Sequence, residues 1–328
     1  MFGLMASEGD PDQQSDFHIL ALDGGGLKGL YSAALLARLE QDSGTQIRDH
    51  FDLITGTSTG GIIALGLGLG LSPREIVGFY TTEGPRIFRG RSWRSLQYFF
   101  RRKYPAARIE AALKEVFGSK TLADSTKPLV IPAYDLDRDG VYLFKTPHHE
   151  RLRRDWRVPA WEVAMATAAA PTFFPSFRLT EDRTRLVDGG VWANNPAMVG
   201  IVEAVSMFDQ DLSQLRVLSL GTTSEASIRK QRLNNGGLIQ WGRGGVVLDV
   251  LLRGQSIGAV AEAMHLIGPD RIHRVDPVVP EGFVALDAVT PDDLIAMASG
   301  DSREFSPSFH SHFASHTAAP YEPLYSPS

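Results

Sequence analysis

The sequence predicts an α/β fold in which helices pack on a mostly parallel sheet. Short apolar runs that end in glycine alternate with helix-length segments whose apolar residues recur at 3.6-residue spacing. The first elements come in the order strand, helix, strand, helix, and crossovers of that kind close parallel pairs.

The first run, FHILAL (17–22), reads as a buried strand that stops at DGGG. GLYSAALLARLEQDSG follows with helical spacing and closes on Gly44, a C-terminal cap. FDLIT (51–55) is a second strand and the glycine-rich apolar segment after it a second helix. SPRE at Ser72 supplies an N-cap serine, a first-turn proline and a glutamate three residues on, so a third helix starts there. KPLVIPAY (127–134), GVYLFKT (140–146), RLVDGG (185–190) and RVLSLGT (216–222) read as strands. AWEVAMATAAAP (160–171) and PAMVGIVEAVSMF (196–208) read as helices. Residues 222–245 are polar and glycine-rich loop candidates, and SPSFHSHFASHTAAPYEPLYSPS has the composition of a mobile tail.

Length and composition bound the function. At 328 residues with 43% apolar content, the chain can bury a sizeable core as one large or two ordinary domains. The absence of cysteine excludes disulfides, thiol catalysis and cysteine-ligated zinc, and fits a reducing compartment. The first 16 residues lack a basic segment and an apolar stretch, so they read as a polar leader rather than a secretory signal, and the protein as cytoplasmic. Leu53 to Pro73 carries no charge over a length that could span a bilayer, but six glycines interrupt it, which favours strand, turn and helix. Residues 86–157 hold 17 Lys/Arg against 8 Asp/Glu in a chain of net charge −5, so one face is basic while the whole is acidic. That balance disfavours long nucleic acid as a partner.

GTSTG (56–60) matches the G-x-S-x-G pattern, in which a nucleophilic serine sits on a sharp turn between strand and helix and small neighbours let the strained backbone pass. Ser58 has a strand before it and a helix after it, as that chemistry needs. DGGGLKG also fits G-x-G-x-x-G at Gly24, Gly26 and Gly29, the dinucleotide fingerprint. The second strand, however, ends in Gly56-Thr57-Ser58 and not in the acidic residue that a ribose requires. Consecutive glycines can instead turn backbone N–H groups toward an oxyanion. Among the nine histidines, a late triad member would be His265 or His273, and neither stands at a strand-to-loop end. Asp188 ends RLV and is followed by Gly189 and Gly190, so it is the better candidate base, provided that its site raises its proton affinity.

Taken together, DGGGLKG, GTSTGG and DGGVWANNP resemble the patatin-like phospholipases in order and spacing, and ATAAAPTFFP (166–175) and LSLGT (218–222) are similar to that family's flanking motifs. The resemblance covers roughly residues 17–222 and implies a three-layer α/β/α fold with a central mostly parallel sheet. It further implies a serine–aspartate dyad without histidine, Ser58 as nucleophile and Asp188 as base. The amides of Gly24, Gly25, Gly26 and Leu27 would form the oxyanion hole, and Gly29, Gly56, Gly60, Gly189 and Gly190 would support the motifs. Lys28 stands where many relatives carry arginine. No metal or other cofactor is expected. Residues 223–305 would complete the same domain as a lid, a sensor or an interface, and 306–328 would form a flexible tail.

The implied activity is phospholipid acyl hydrolysis at a peripheral membrane contact on the inner face. Alternatives are a nucleotide-independent acyl hydrolase or acyltransferase and a silent binding module, which the intact motifs disfavour. The sequence is most similar to the family's bacterial branch, whose members include antiphage effectors that cyclic dinucleotides activate. A cyclic di- or trinucleotide activator and a homo-oligomer are therefore candidate partners. In RIFRGRSWRSLQYFFRRKY (86–104) and RLRRDWR (151–157) arginines interleave with aromatics. Such segments suit lipid headgroups, an anion pocket or a solvated surface.

Overall fold

The computed structural model describes residues 16–87, 105–226, 237, 246–280 and 290–326. Its first strand, β1 (Phe17–Leu22), is wholly buried and lies in the interior of the main sheet. After it come α1 (Gly29–Ser43), β2 (Leu53–Gly56), α2 (Thr59–Gly68) and α3 (Pro73–Ile87). Gly44 caps α1 in the left-handed region (φ 70°), where glycine carries no Cβ penalty. The capping box at α3 forms as the sequence predicts: the Ser72 N–H donates to Glu75 Oε2 at 2.8 Å and the Glu75 N–H to Ser72 Oγ at 3.3 Å. The charge-free stretch thus becomes β2, a turn and α2. Among the described residues, no helix is long and apolar enough to cross a membrane.

Downstream lie α4 (Ala106–Phe117), β3 (Leu129–Asp135), β4 (Gly140–Lys145), α5 (Ala160–Thr167), β5 (Phe177–Arg178), β6 (Arg185–Asp188), α6 (Gly190–Ala193), α7 (Ala197–Met207), β7 (Leu215–Leu220) and β8 (Ser224–Ala226). The chain continues with α8 (Val246–Ile267), β9 (Ile272–Val275), β10 (Val278–Pro280) and α9 (Pro291–Phe309). The main sheet has the order β5-β6-β3-β2-β1-β7-β9, with β4 also paired to β3. The pairs β3-β2, β2-β1, β1-β7 and β7-β9 are parallel, whereas β4 and β6 run antiparallel to β3. Helices flank this sheet, and two apolar clusters hold the layers together. All ten residues of α2 are buried, so it shows no polar face; each Leu or Ile so buried contributes about 1.5–3 kcal/mol.

Within residues 223–305, β9 pairs with β7 in the main sheet. One region differs from the sequence expectation. Residues 306–326 are not a loose tail: α9 runs to Phe309 and a π-turn continues to Ala314, with Phe309 and Phe313 fully buried. The physical reason is an aromatic repeat at helical spacing, Phe305, Phe309 and Phe313, set among Ser, Pro and His that mask it. Farther on, the Ala318 N–H donates to the Asp49 carbonyl and the Leu324 N–H to the Pro147 carbonyl.

Candidate active site

β2 delivers Ser58 to the start of α2 on a tight elbow. Gly56 and Gly60 face each other across it, and a Cβ at Gly60 would fall onto the Leu22 carbonyl. Ser58 itself has φ 55°, a conformation that typically costs about 1–3 kcal/mol for a residue with a side chain. Its N–H donates to Thr167 Oγ1 at 2.9 Å, and Thr167 Oγ1 donates to the Pro132 carbonyl at 2.6 Å. Thr57 adds two ties, from its N–H to the Leu22 carbonyl and from its hydroxyl to the Ala193 carbonyl. The strain is therefore held from β1, β3 and α5 together.

Asp188 ends β6, and Gly189 behind it packs onto Pro132. Ser58 Oγ donates to Asp188 Oδ2 at 2.6 Å across 130 residues of sequence. The Gly190 N–H donates to Oδ1 at 2.7 Å, so each carboxylate oxygen has one donor. Asp188 is 5% exposed. Burial pushes its carboxyl up to about 6, with the Ser58 and Gly190 hydrogen bonds pulling the other way.

The glycine loop lies beside this pair, but not every amide in it is free. The Gly24 N–H donates to the Asn194 carbonyl at 3.0 Å, which corrects its assignment to the oxyanion hole. Sequence motifs mark such a loop and do not say which of its amides the neighbouring chain takes. Gly25 and Gly26 line the cavity over Ser58, and Leu27 is buried within the single turn Gly26–Lys28 that leads into α1. Gly29 then packs against Thr59, which lets the N-termini of α1 and α2 approach.

The cavity is apolar, walled by Ile62 of α2, Phe79 of α3, Ile109 of α4, Phe173 and Phe174, with Leu248 and Leu252 of α8 opposite. Among the described residues, no histidine lines it. His265 is exposed near the end of α8, and His273 sits on β9 with its ring 4.4 Å from that of His312. Thr167, Asn194 and α8 were not singled out by motif reasoning, although Thr167 stands inside ATAAAPTFFP and Asn194 inside DGGVWANNP. Of the basic segments, 88–104 lies outside the described residues. In RLRRDWR, Arg154 is spent on Asp155, at 2.7 Å, and on the Tyr142 ring, at 4.1 Å. Its role there is structural.

The family model for patatin-like phospholipases matches residues 20–201, which contain the loop, the elbow and Asp188. The chain belongs to the patatin-like phospholipase family. Similar patatin-like relatives include a cGAMP-activated phospholipase of Pseudomonas aeruginosa, 36% identical over 81% of this chain and 80% of the relative. A cGAMP-activated phospholipase of Vibrio cholerae is 32% identical over 87% and 89%. A cUMP-AMP-activated phospholipase of Escherichia coli is 33% identical over 62% and 63%. The protein is accordingly a lipid acyl hydrolase with the family's α/β architecture.

Proposed function

We propose that this patatin-like enzyme releases fatty acids from membrane phospholipids through a Ser58–Asp188 dyad and that a cyclic dinucleotide activates it. The observation that carries the dyad is the 2.6 Å hydrogen bond from Ser58 Oγ to Asp188 at the floor of an apolar cavity with no histidine among its described lining residues.

The steps follow from the geometry. Ser58 Oγ attacks the ester carbonyl carbon as its proton passes to Asp188 Oδ2. The oxyanion forms toward the Gly25 and Gly26 amides, with Leu27 next in line. As the carbon–oxygen bond to the alcohol breaks, Asp188 returns the proton to the leaving oxygen, and the lysolipid departs. Water then attacks the acyl-serine, Asp188 takes its proton and passes it to Ser58 Oγ, and the fatty acid leaves. The contact between serine and carboxylate makes proton transfer nearly intramolecular. Burial brings the base closer to neutral pH than an ordinary aspartate.

A pH dependence follows. Asp188 must be ionised to accept the proton, so kcat/KM falls as pH drops through about 6. A pH–rate profile on a soluble ester substrate measures this midpoint. An acid limb near 3.8, the ordinary aspartate value, would contradict the buried-base assignment.

Nucleotide control is supported by the names of the bacterial relatives and by the danger of an uncontrolled phospholipase to its own membrane. The ligand must bind the active conformation more tightly than the resting one. A tenfold rise in activity requires about 1.4 kcal/mol of differential binding. Fatty-acid release from phospholipid vesicles is expected to rise at least about tenfold with cGAMP or another member of a cyclic di- and trinucleotide panel. Equal rates with and without every member would leave a constitutive hydrolase. Val247 and Leu251, exposed on α8 beside cavity-lining Leu248 and Leu252, support a peripheral lipid contact at the cavity mouth.

A further inference from the structure

The glycine loop has a mechanical problem. Gly24, Gly25 and Gly26 carry no side chains, so the loop's own side chains can anchor it only at its ends, Asp23 and Leu27, while from outside Thr222 Oγ1 donates to the Gly24 carbonyl at 3.1 Å. Asp23 is 3% exposed, a carboxylate removed from water immediately before the amides that face the cavity.

Its partner comes from β9, outside the segment that matches the family model. Arg274 donates from Nη1 to Asp23 Oδ1 at 2.8 Å and from Nη2 to Oδ2 at 2.7 Å, a two-point clamp. The reach is set by the sheet: Leu22 pairs with Leu220 on β7, and Ser219 pairs with Arg274 on β9, so the guanidinium crosses β7 to the end of β1. Two strand spacings of about 4.8 Å fit an arginine and an aspartate extended toward each other. Nη1 also donates to Ser219 Oγ at 2.9 Å, and Nη2 lies 3.0 Å from Asp276 Oδ2. Ser219 Oγ accepts from Asn195 Nδ2, and Asp276 accepts from Ser224 Oγ. Arg274 is thus fixed on several sides before it holds Asp23, and only a planar fork can do this.

Burial pushes the Asp23 carboxyl up to about 6, and the Arg274 charge opposes that shift. Without Arg274 the buried carboxylate would lose its counter-charge and keep Ser256 as a hydrogen-bond partner, and proteins avoid a buried charge without a counter-ion by protonation or by turning the group outward. Either change moves the backbone that leads into Gly24.

We propose that Arg274 is a positioning residue for the oxyanion loop: its clamp on Asp23 sets the orientation of the Gly25 and Gly26 amides, and it acts on turnover without touching substrate. This rests on the dyad reading, because it presumes an oxyanion formed at Ser58.

The test compares wild type, Arg274→Gln and Arg274→Lys, with the competent serine titrated to completion by a lipid fluorophosphonate. Arg274→Gln is expected to lower kcat per titrated site about 30–100-fold, near the loss of one oxyanion donor, with KM within about threefold. Affinity for a trifluoromethyl ketone lipid, which forms an oxyanion on the serine, should fall in parallel. Affinity for an ether-linked phospholipid, which cannot, should hold. Arg274→Lys keeps the charge without the fork and is expected to lose about tenfold; it carries the test if the glutamine variant does not fold. A purely structural role would lower the titratable fraction and leave kcat per site unchanged. Turnover per site within threefold of wild type in the folded variants, or equal weakening of the ketone and ether lipids, overturns the inference. If the wild type itself takes no label at Ser58, the dyad reading fails instead.

Discussion

Ser58→Ala will reduce fatty-acid release from phospholipid vesicles by on the order of 10⁴-fold or more, to a residue of catalysis from binding and the oxyanion amides. On the proposed dyad, the alanine removes the atom that carries the acyl group and leaves Asp188 Oδ2 without its donor, Ser58 Oγ. The fold should survive. Ser58 is only half-buried, and its structural tie, the N–H to Thr167, is made by backbone. Circular dichroism and thermal melting of the variant, set beside product analysis by mass spectrometry, separate lost chemistry from lost structure. Release within tenfold of wild type by the folded variant would mean that another group carries the acyl chain.

Asp188→Asn has the second-largest expected effect, and its two parts point in opposite directions. The amide cannot take the Ser58 proton, so activity should fall by about 10³-fold or more, within or just above the usual range for a general base. The Ser58 and Asp188 losses should not add, because the two act as one unit.

Stability should rise. Asp188 has a folded-state value near 6 against 3.8 for the free group, so the folded protein binds the proton more tightly than the unfolded chain. Stability from this group therefore falls as pH rises between those two values, and above pH 6 the ionised form costs about 3 kcal/mol. Asparagine removes that cost while its carbonyl can still accept from the Gly190 N–H. At pH 7.5 the variant is expected to melt several degrees higher than wild type, and at pH 4 the difference should vanish. A lower melting temperature at pH 7.5 would show that the carboxylate is a structural contact rather than an ionised base held at a cost.

Much of this was legible in the sequence, because the informative features were local. Strand, elbow and helix around Ser58 follow from FDLIT, GTSTG and the apolar run after them, and the α3 capping box from four consecutive residues. Asp188 was legible for a different reason: two glycines after a strand end mark a close approach, and no histidine stood in a competing setting. What escaped was set by partners distant in the chain. Arg274 sits in an ordinary strand segment, IHRV, and meets Asp23 251 residues away. The Gly24 amide is lost to Asn194, a contact that no spacing within DGGG reveals. The antiparallel course of β4 and β6 depends on β3, which both use as a template. The C-terminal helix was hidden by Ser, Pro and His between phenylalanines four residues apart.

The central claim is that one serine carries the acyl group and one aspartate activates it. The most direct measurement is peptide mass spectrometry of the protein after exposure to a lipid fluorophosphonate, done in parallel on Asp188→Asn. The dyad predicts a single phosphonyl adduct on Ser58 in the wild type, formed at a rate that falls at least about 10²-fold in the variant. An adduct on any other residue, or equal labelling rates in both proteins, would contradict it.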